Sequence, residues 1–258
     1  MKITSLVDNV SNRDNIDPEH GLSLYIEFKD KKILFDMGQS DLFAKNAEKL
    51  GVDLSKIDIA VLSHGHYDHG GGISTFFELN KKAKVYLSEF AFGDHYNGTE
   101  KYIGLDKTLE KSDRLVFVSD DLELCDGMKL FSCNDKEKTH NLGSFGLKTK
   151  HLDRLVDDDF LHEQYLLLAE NGKRVLFSGC SHKGIMDITA WFSPDVLIGG
   201  FHFSKLSLGS TLADYSKYLS SFQTAFYTCH CTGVEQFEFM KEYLDNLNYL
   251  SCGDVIYL

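Results

Sequence analysis

A chain of 258 residues with 43% hydrophobic content carries enough apolar side chains for one large core. Its 39 acidic against 27 basic residues, a net charge of −12, disfavour a broad nucleic-acid interface. No run reaches membrane-spanning length, no apolar signal-peptide core stands near Met1, and six cysteines are too few for a disulfide scaffold. The expectation is a cytoplasmic protein with a small-molecule substrate, no nucleic acid and no membrane as partner. With only Pro18 and Pro194 and no low-complexity linker, residues 1–258 read as a single domain.

In chain order, residues 1–9 read as a strand entering a polar loop, and 22–28 with 32–36 as a hairpin about Lys29, Asp30 and Lys31. Leu42, Phe43, Ala47 and Leu50 fall near helical spacing, predicting a helix over 41–50 capped by Gly51. Residues 57–62 are a short β-branched run, read as a buried strand. A helix is expected over 73–79 and a strand over 83–87. Phe90, Phe92, His95 and Tyr96 lie in a loop that could overhang a site or simply pack. Short strands follow at 115–118, 128–132 and 145–148, and the run Asp157, Asp158, Asp159 reads as a solvated loop.

The second half opens with a hairpin at 163–169 and 173–177. It continues through a helix over 185–192, a strand at 196–198, a helix over 212–222, a strand at 225–227, an amphipathic helix over 235–247 and a closing strand. Residues 31–35 (KKILF) align with 173–177 (KRVLF), and at that offset His20 falls on His162. This weak repeat suggests two similar β-rich halves, about 1–150 and 151–258, packed face to face.

The stretch 63–72 holds His64, His66, Asp68 and His69 at the spacing His-x-His-x-Asp-His, followed by three glycines. It stands at the end of the 57–62 strand, where a rigid scaffold presents binding residues. Imidazole and carboxylate are ligands for zinc and similar divalent metals. His64 and His66 can face one ion from a bent loop, while Asp68 and His69 point to a second ion close by.

This motif resembles the signature of the metallo-β-lactamase superfamily. Residues 19–23, 179–185, 199–202 and 229–233 extend the similarity to its dihydropterin-(ribofuranosyl)aminobenzene-phosphate synthase-like branch. The resemblance implies a four-layer αββα sandwich with a one- or two-metal site at its edge. It implies that Asp36 braces the metal loop, a role compatible with a turn residue, and that His230 is the last histidine ligand. Where the superfamily commonly has Gly-Asp, this chain has Gly179-Cys180. Cys180 is then either a thiolate ligand or a small buried cysteine. His182 is the preferred third histidine, with His162 competing by sequence order. His202 is expected to contact substrate. His20, His95, His140 and His151 carry no assignment.

The leading expectation is a metal-dependent hydrolase of a small ester, lactone or phosphoester, with Asp68 orienting a metal-activated water. Zinc is the metal expected first, with iron or manganese as alternatives, at one or two ions per chain. The resemblance offers a second reading, a synthase joining a dihydropterin to an aminobenzene-ribose phosphate. A redox centre lacks the acidic ligands and flavin domain it would need, and a non-catalytic metal sensor leaves the full ligand set unexplained.

Overall fold

The computed structural model describes residues 1–258. Its strands are β1 (Lys2–Val7), β2 (Ser23–Phe28), β3 (Lys31–Phe35), β4 (Ile59–Val61), β5 (Lys84–Ser88), β6 (His95–Asn97), β7 (Lys101–Tyr102), β8 (Leu115–Val118) and β9 (Leu122–Cys125). They continue with β10 (Met128–Phe131), β11 (Leu147–His151), β12 (Arg154–Asp157), β13 (Tyr165–Glu170), β14 (Lys173–Phe177), β15 (Val196–Ile198), β16 (Ala225–Thr228), β17 (Leu247–Tyr249) and β18 (Val255–Tyr257). The helices are α1 (Leu42–Lys49), α2 (Tyr67–Gly70), α3 (Ile73–Leu79), α4 (Ile185–Phe192), α5 (Ser210–Ser220) and α6 (Val234–Met240).

Two seven-stranded sheets run β18-β1-β2-β3-β4-β5-β8 and β9-β10-β13-β14-β15-β16-β17. In each, the first four strands pair antiparallel and the last four parallel, so the two orders share one pairing pattern. The chain enters the second sheet at Leu122, earlier than the division near 150 suggested by the hairpin alignment.

Side-chain alternation on each strand generates the layers. Leu24, Ile26 and Phe28 face the inter-sheet core with Val175, Phe177, Val196 and Ile198. Tyr25 and Leu34 point the other way, into a core shared with Phe43 of α1 and Phe76 of α3. Leu176, Leu197 and Phe226 likewise meet Ile188, Leu212 and Phe237 from α4, α5 and α6. Three cores between four layers make an αββα sandwich. Phe35 and Phe177, the last residues of the aligned repeat, meet across the sheets with ring centroids 5.7 Å apart. Such an aromatic pair adds about 0.5–1.5 kcal/mol beyond its burial.

Three local expectations change. The helix expected over 235–247 stops at Met240. Leu244 and Leu247 are buried as helical spacing requires, but through a turn and then β17, which pairs parallel with β16. Part of the 63–72 loop is a helical turn, α2, whose residues Asp68 and His69 are buried. The 90–96 loop leads into β6 of a four-stranded sheet, β12-β11-β6-β7, set apart from the sandwich.

Candidate metal centre

The candidate residues stand at the C-terminal ends of parallel strands from both sheets, where open α/β sheets place their ligands. After β3 the chain turns through Asp36 at φ +59°. Its carboxylate accepts the Ser63 amide at 2.7 Å, the Ser63 hydroxyl at 2.7 Å and His69 Nδ1–H at 2.6 Å. Gly65 is needed because a Cβ there would lie 2.1 Å from the Ala91 carbonyl oxygen. After β14, Gly179 takes φ +62° with no room for a Cβ beside Ser63, and the turn delivers Cys180 and His182. Glu163 pins that turn by accepting the His182 and Lys183 amides at 2.6 and 2.9 Å. After β16, the His230 amide donates to Asp8 Oδ1 at 2.5 Å.

Hydrogen-bond partners set the imidazole tautomers. Ser63 Oγ donates to Asp36 and so accepts from His64 Nδ1 at 2.8 Å. His69 Nδ1 donates to Asp36, and His230 Nδ1 to Asn9 Oδ1 at 2.8 Å. In all three rings Nε2 is left facing inward, and, against burial, the Asp36 and Asp68 carboxylates raise the His69 pKa above the usual histidine value. His64 Nε2 lies 3.3 Å from His182 Nε2, and His69 Nε2 lies 3.3 Å from His230 Nε2 and 3.2 Å from Cys180 Sγ. Ligand atoms converging in a buried site fit a cation between them.

Donor sets whose ligand atoms lie within 4.8 Å of one another are His64, His66 and His182; His64, His69 and Cys180; Cys180, His202 and Cys231; His66, His95, Asp158 and His162; and, sharing no member with these, His20, Asp68 and His230. Burial first, and then the crowd of neighbouring imidazoles, pushes His64, His66 and His182 well below the usual histidine range. They are neutral at pH 7, as metal ligation requires. Against burial, His69, His20 and His230 hold the Asp68 carboxyl well below its usual value.

His162 shares a set with His66, and its two ring nitrogens have different surroundings. Its Nδ1 accepts the Gly65 amide at 2.9 Å, which puts its proton on Nε2, 3.4 Å from Asp158 Oδ2. Asp158 also accepts His95 Nδ1–H at 2.9 Å and the Phe160 amide at 2.8 Å. The middle residue of the acidic run is therefore buried, 5% exposed, and not part of a solvated loop. His95 and His162 stack with centroids 3.9 Å apart behind His66.

A cleft of about 210 Å³ opens over the cluster, floored by His66, Asp68, Cys180, His182 and His230 and flanked by His202. Tyr67, Ile103 and Leu147 form an apolar wall, with Lys101 and Lys205 also lining it. A larger depression of about 560 Å³ beside α1 holds no histidine or cysteine and lies off the strand ends.

The sequence profile of the Metallo-beta-lactamase superfamily matches residues 16–218. The chain belongs to this superfamily. Among superfamily structures it is similar to Tm1679, described as a metal-dependent hydrolase of the beta-lactamase superfamily, with a TM-score of 0.83 and 29% identity over 100% of this chain and 99% of that one. An uncharacterized protein of Methanocaldococcus jannaschii is 29% identical over 98% of this chain and 99% of its own. The 7,8-dihydropterin-6-methyl-4-(beta-D-ribofuranosyl)-aminobenzene-5'-phosphate synthase of the same organism is 27% identical over 92% of this chain and 90% of its own. No helix of this superfamily member is long and apolar enough to cross a membrane.

His64, His66, Asp68, His69, Cys180, His182, His202 and His230 come together around the cleft, whereas His162 stands behind His66 beside Asp158. Two histidines without an assignment also border this cluster. His20 Nε2 lies 3.2 Å from Asp68 Oδ2, and His95 lies behind His66. The segment Glu19-His20-Gly21 was a signal for the first, and the 90–96 loop, which could overhang a site, was a weak one for the second. His140 instead bonds Asp187 on α4, at 2.8 Å, and His151 is exposed on β11.

Proposed function

We propose that the protein is a metal-dependent hydrolase acting on a small ester, lactone or phosphoester. The observation that carries this reading is the convergence of the His64, His182, His69 and His230 Nε2 atoms beside the Asp68 carboxylate at the floor of an open cleft. His64, His66 and His182 would hold one divalent ion, and Asp68, His69 and His230 a second, with Cys180 between the sets. Bound there, a metal supplies Lewis acidity and lowers the pKa of a coordinated water. Asp68 Oδ2, held 3.2 Å from His20 and 3.3 Å from His230, is placed to orient the nucleophile. His202 stands beside His182, centroids 4.4 Å apart, where it can donate to an oxygen gaining charge. A thiol among imidazoles favours zinc over harder ions such as manganese, with iron as the next choice. Exchanging a bridging carboxylate for Cys180 favours one tight and one weaker ion.

The likeness to Tm1679 supports the hydrolase. The relative that makes a dihydropterin–aminobenzene conjugate supports a second reading, transfer to an aromatic amine or carbon by the same centre. Zinc-reconstituted protein offered matched aryl esters, lactones and phosphoesters, and separately a dihydropterin with an aminobenzene ribose phosphate, distinguishes them. Hydrolysis abolished by His182→Ala supports the first reading. Conjugate formation without hydrolysis replaces it with the second.

A further inference from the structure

The segment Cys229-His230-Cys231 divides its side chains among three destinations. Cys229 is buried in the inter-sheet core. His230 turns toward His69 and Asp68. Cys231 enters the cleft, beside Cys180. The backbone is shaped for this. His230 adopts φ +46°, and a Cβ on Gly200 would lie 2.4 Å from Cys231 Sγ, so only glycine at 200 leaves room for the thiol. Cys231 Sγ donates to the Cys180 carbonyl at 3.6 Å, a weak hold that a stronger partner can replace. His202, at φ +56°, presents a ring whose Nδ1 is buried with no hydrogen-bond partner. Cys180 Sγ, Cys231 Sγ and a His202 ring nitrogen all lie within 4.8 Å of one another.

We propose that Cys231, with Cys180 and His202, forms a thiolate-rich metal subsite on the cleft side of the histidine cluster, selective for a thiophilic divalent ion. A tetrahedral ion with two sulfur ligands needs about 3.8 Å between sulfurs, which small side-chain rotations reach from the observed spacing. Two thiolates and one imidazole leave a fourth position facing the cleft, the arrangement of a catalytic zinc and not of a closed structural one. Cys180 also belongs to the His64 and His69 set, so its sulfur is placed to join this subsite to the histidine centre. The inference rests on the chain holding a metal, but not on which reaction that metal serves.

Cobalt(II) reconstitution tests it, because each cobalt–thiolate bond contributes near-ultraviolet charge-transfer absorption. The expected result is a band that falls by about half in Cys231→Ser and again by about half in Cys180→Ser, while Cys229→Ala leaves it unchanged. An unaltered band and cobalt content in Cys231→Ser overturns the proposal. In the unmodified chain, zinc should slow iodoacetamide alkylation of Cys231 at least tenfold, read by peptide mass spectrometry, and equal rates with and without zinc also overturn it. If cobalt does not bind at all, this proposal and the metal centre fall together. If the thiolate band appears without any hydrolysis, only the hydrolase reading falls.

Discussion

The Nε2 atoms of His64 and His182, 118 positions apart in the chain, lie 3.3 Å from each other. Both rings are neutral, so the two Nε2 atoms can share one proton, and a divalent cation bound between them takes that proton's place. His182→Ala should therefore lose the tighter metal outright, measured as one fewer equivalent after gel filtration. His162→Ala should keep the stoichiometry and weaken affinity by about tenfold, because Gly65 loses its acceptor and the 64–66 loop loosens. The reverse pattern, with metal stripped by His162→Ala and retained by His182→Ala, would make His162 the third ligand. Chelation should lower the melting temperature of the unmodified protein more than that of His182→Ala.

Asp36 accepts three hydrogen bonds in a fully buried position. Asn at 36 keeps the shape but turns one acceptor into a donor facing Ser63 or His69. Asp36→Asn should reduce metal affinity by about 10–100-fold and destabilise the fold by about 2–4 kcal/mol. Competition against a chelator and urea melts of metal-free protein separate the two effects. Unchanged affinity would show that His69 needs no brace.

Lys101 stands over the Tyr67 ring at 5.5 Å, and Lys205 reaches the Phe145 carbonyl oxygen at 3.4 Å, both on the cleft lining. In an acidic protein these two cations favour a substrate with an anionic group. Lys101→Ala and Lys205→Ala should each raise KM several-fold for a phosphoester and leave a neutral ester of the same aryl group unchanged. High salt should reproduce the effect in the unmodified protein. Equal changes for both esters would show that the lysines only shape the wall.

Asp187 ties the 139–140 segment to α4, accepting Thr139 Oγ1 at 2.6 Å, the His140 amide at 3.0 Å and His140 Nδ1–H at 2.8 Å. Burial raises its pKa, but these hydrogen bonds outweigh it and hold the carboxyl below its ordinary value of 3.8. The stabilisation is present above that value and disappears as pH falls through the lowered one. Asp187→Asn should thus be less stable than the unmodified protein at pH 7, with the difference shrinking as pH falls through and below the ordinary carboxylate value of 3.8. A constant difference across that range would exclude the charge as the cause.

Much of the architecture was legible because it depends on local periodicity. Alternation in 22–28 and 32–36 specifies a strand with two buried faces, and the spacing of Leu42, Phe43 and Ala47 specifies one helical stripe. The same reasoning overran at α6, because burial of Leu244 and Leu247 suits a helix or a turn with a strand equally well. Only the pairing of Leu247 with Phe226 decides between them. Asp158 was misread for a related reason. A run of three carboxylates has no local sign of which one will turn inward; His162 is only four residues on, but His95 is brought to Asp158 when β6 pairs with β11.

The sequence by itself singled out the candidate side chains: the His-x-His-x-Asp-His loop, Cys180 and His182 beyond Gly179, and His230 between two cysteines. Each follows an apolar strand, and strand ends are readable from composition. What only the tertiary structure decided is how each ring is used. His162 and His182 are equivalent in residue type and comparable in context, yet one faces His64 across the floor of the cleft and the other accepts the Gly65 amide. A neutral imidazole has one donor and one acceptor nitrogen, and its role is set by whichever partner takes the first. Those ring partners, Asp36, Asn9 and Asp158, stand 33, 221 and 63 positions from His69, His230 and His95, and only the folded chain brings them together. No spacing rule along the chain encodes that meeting.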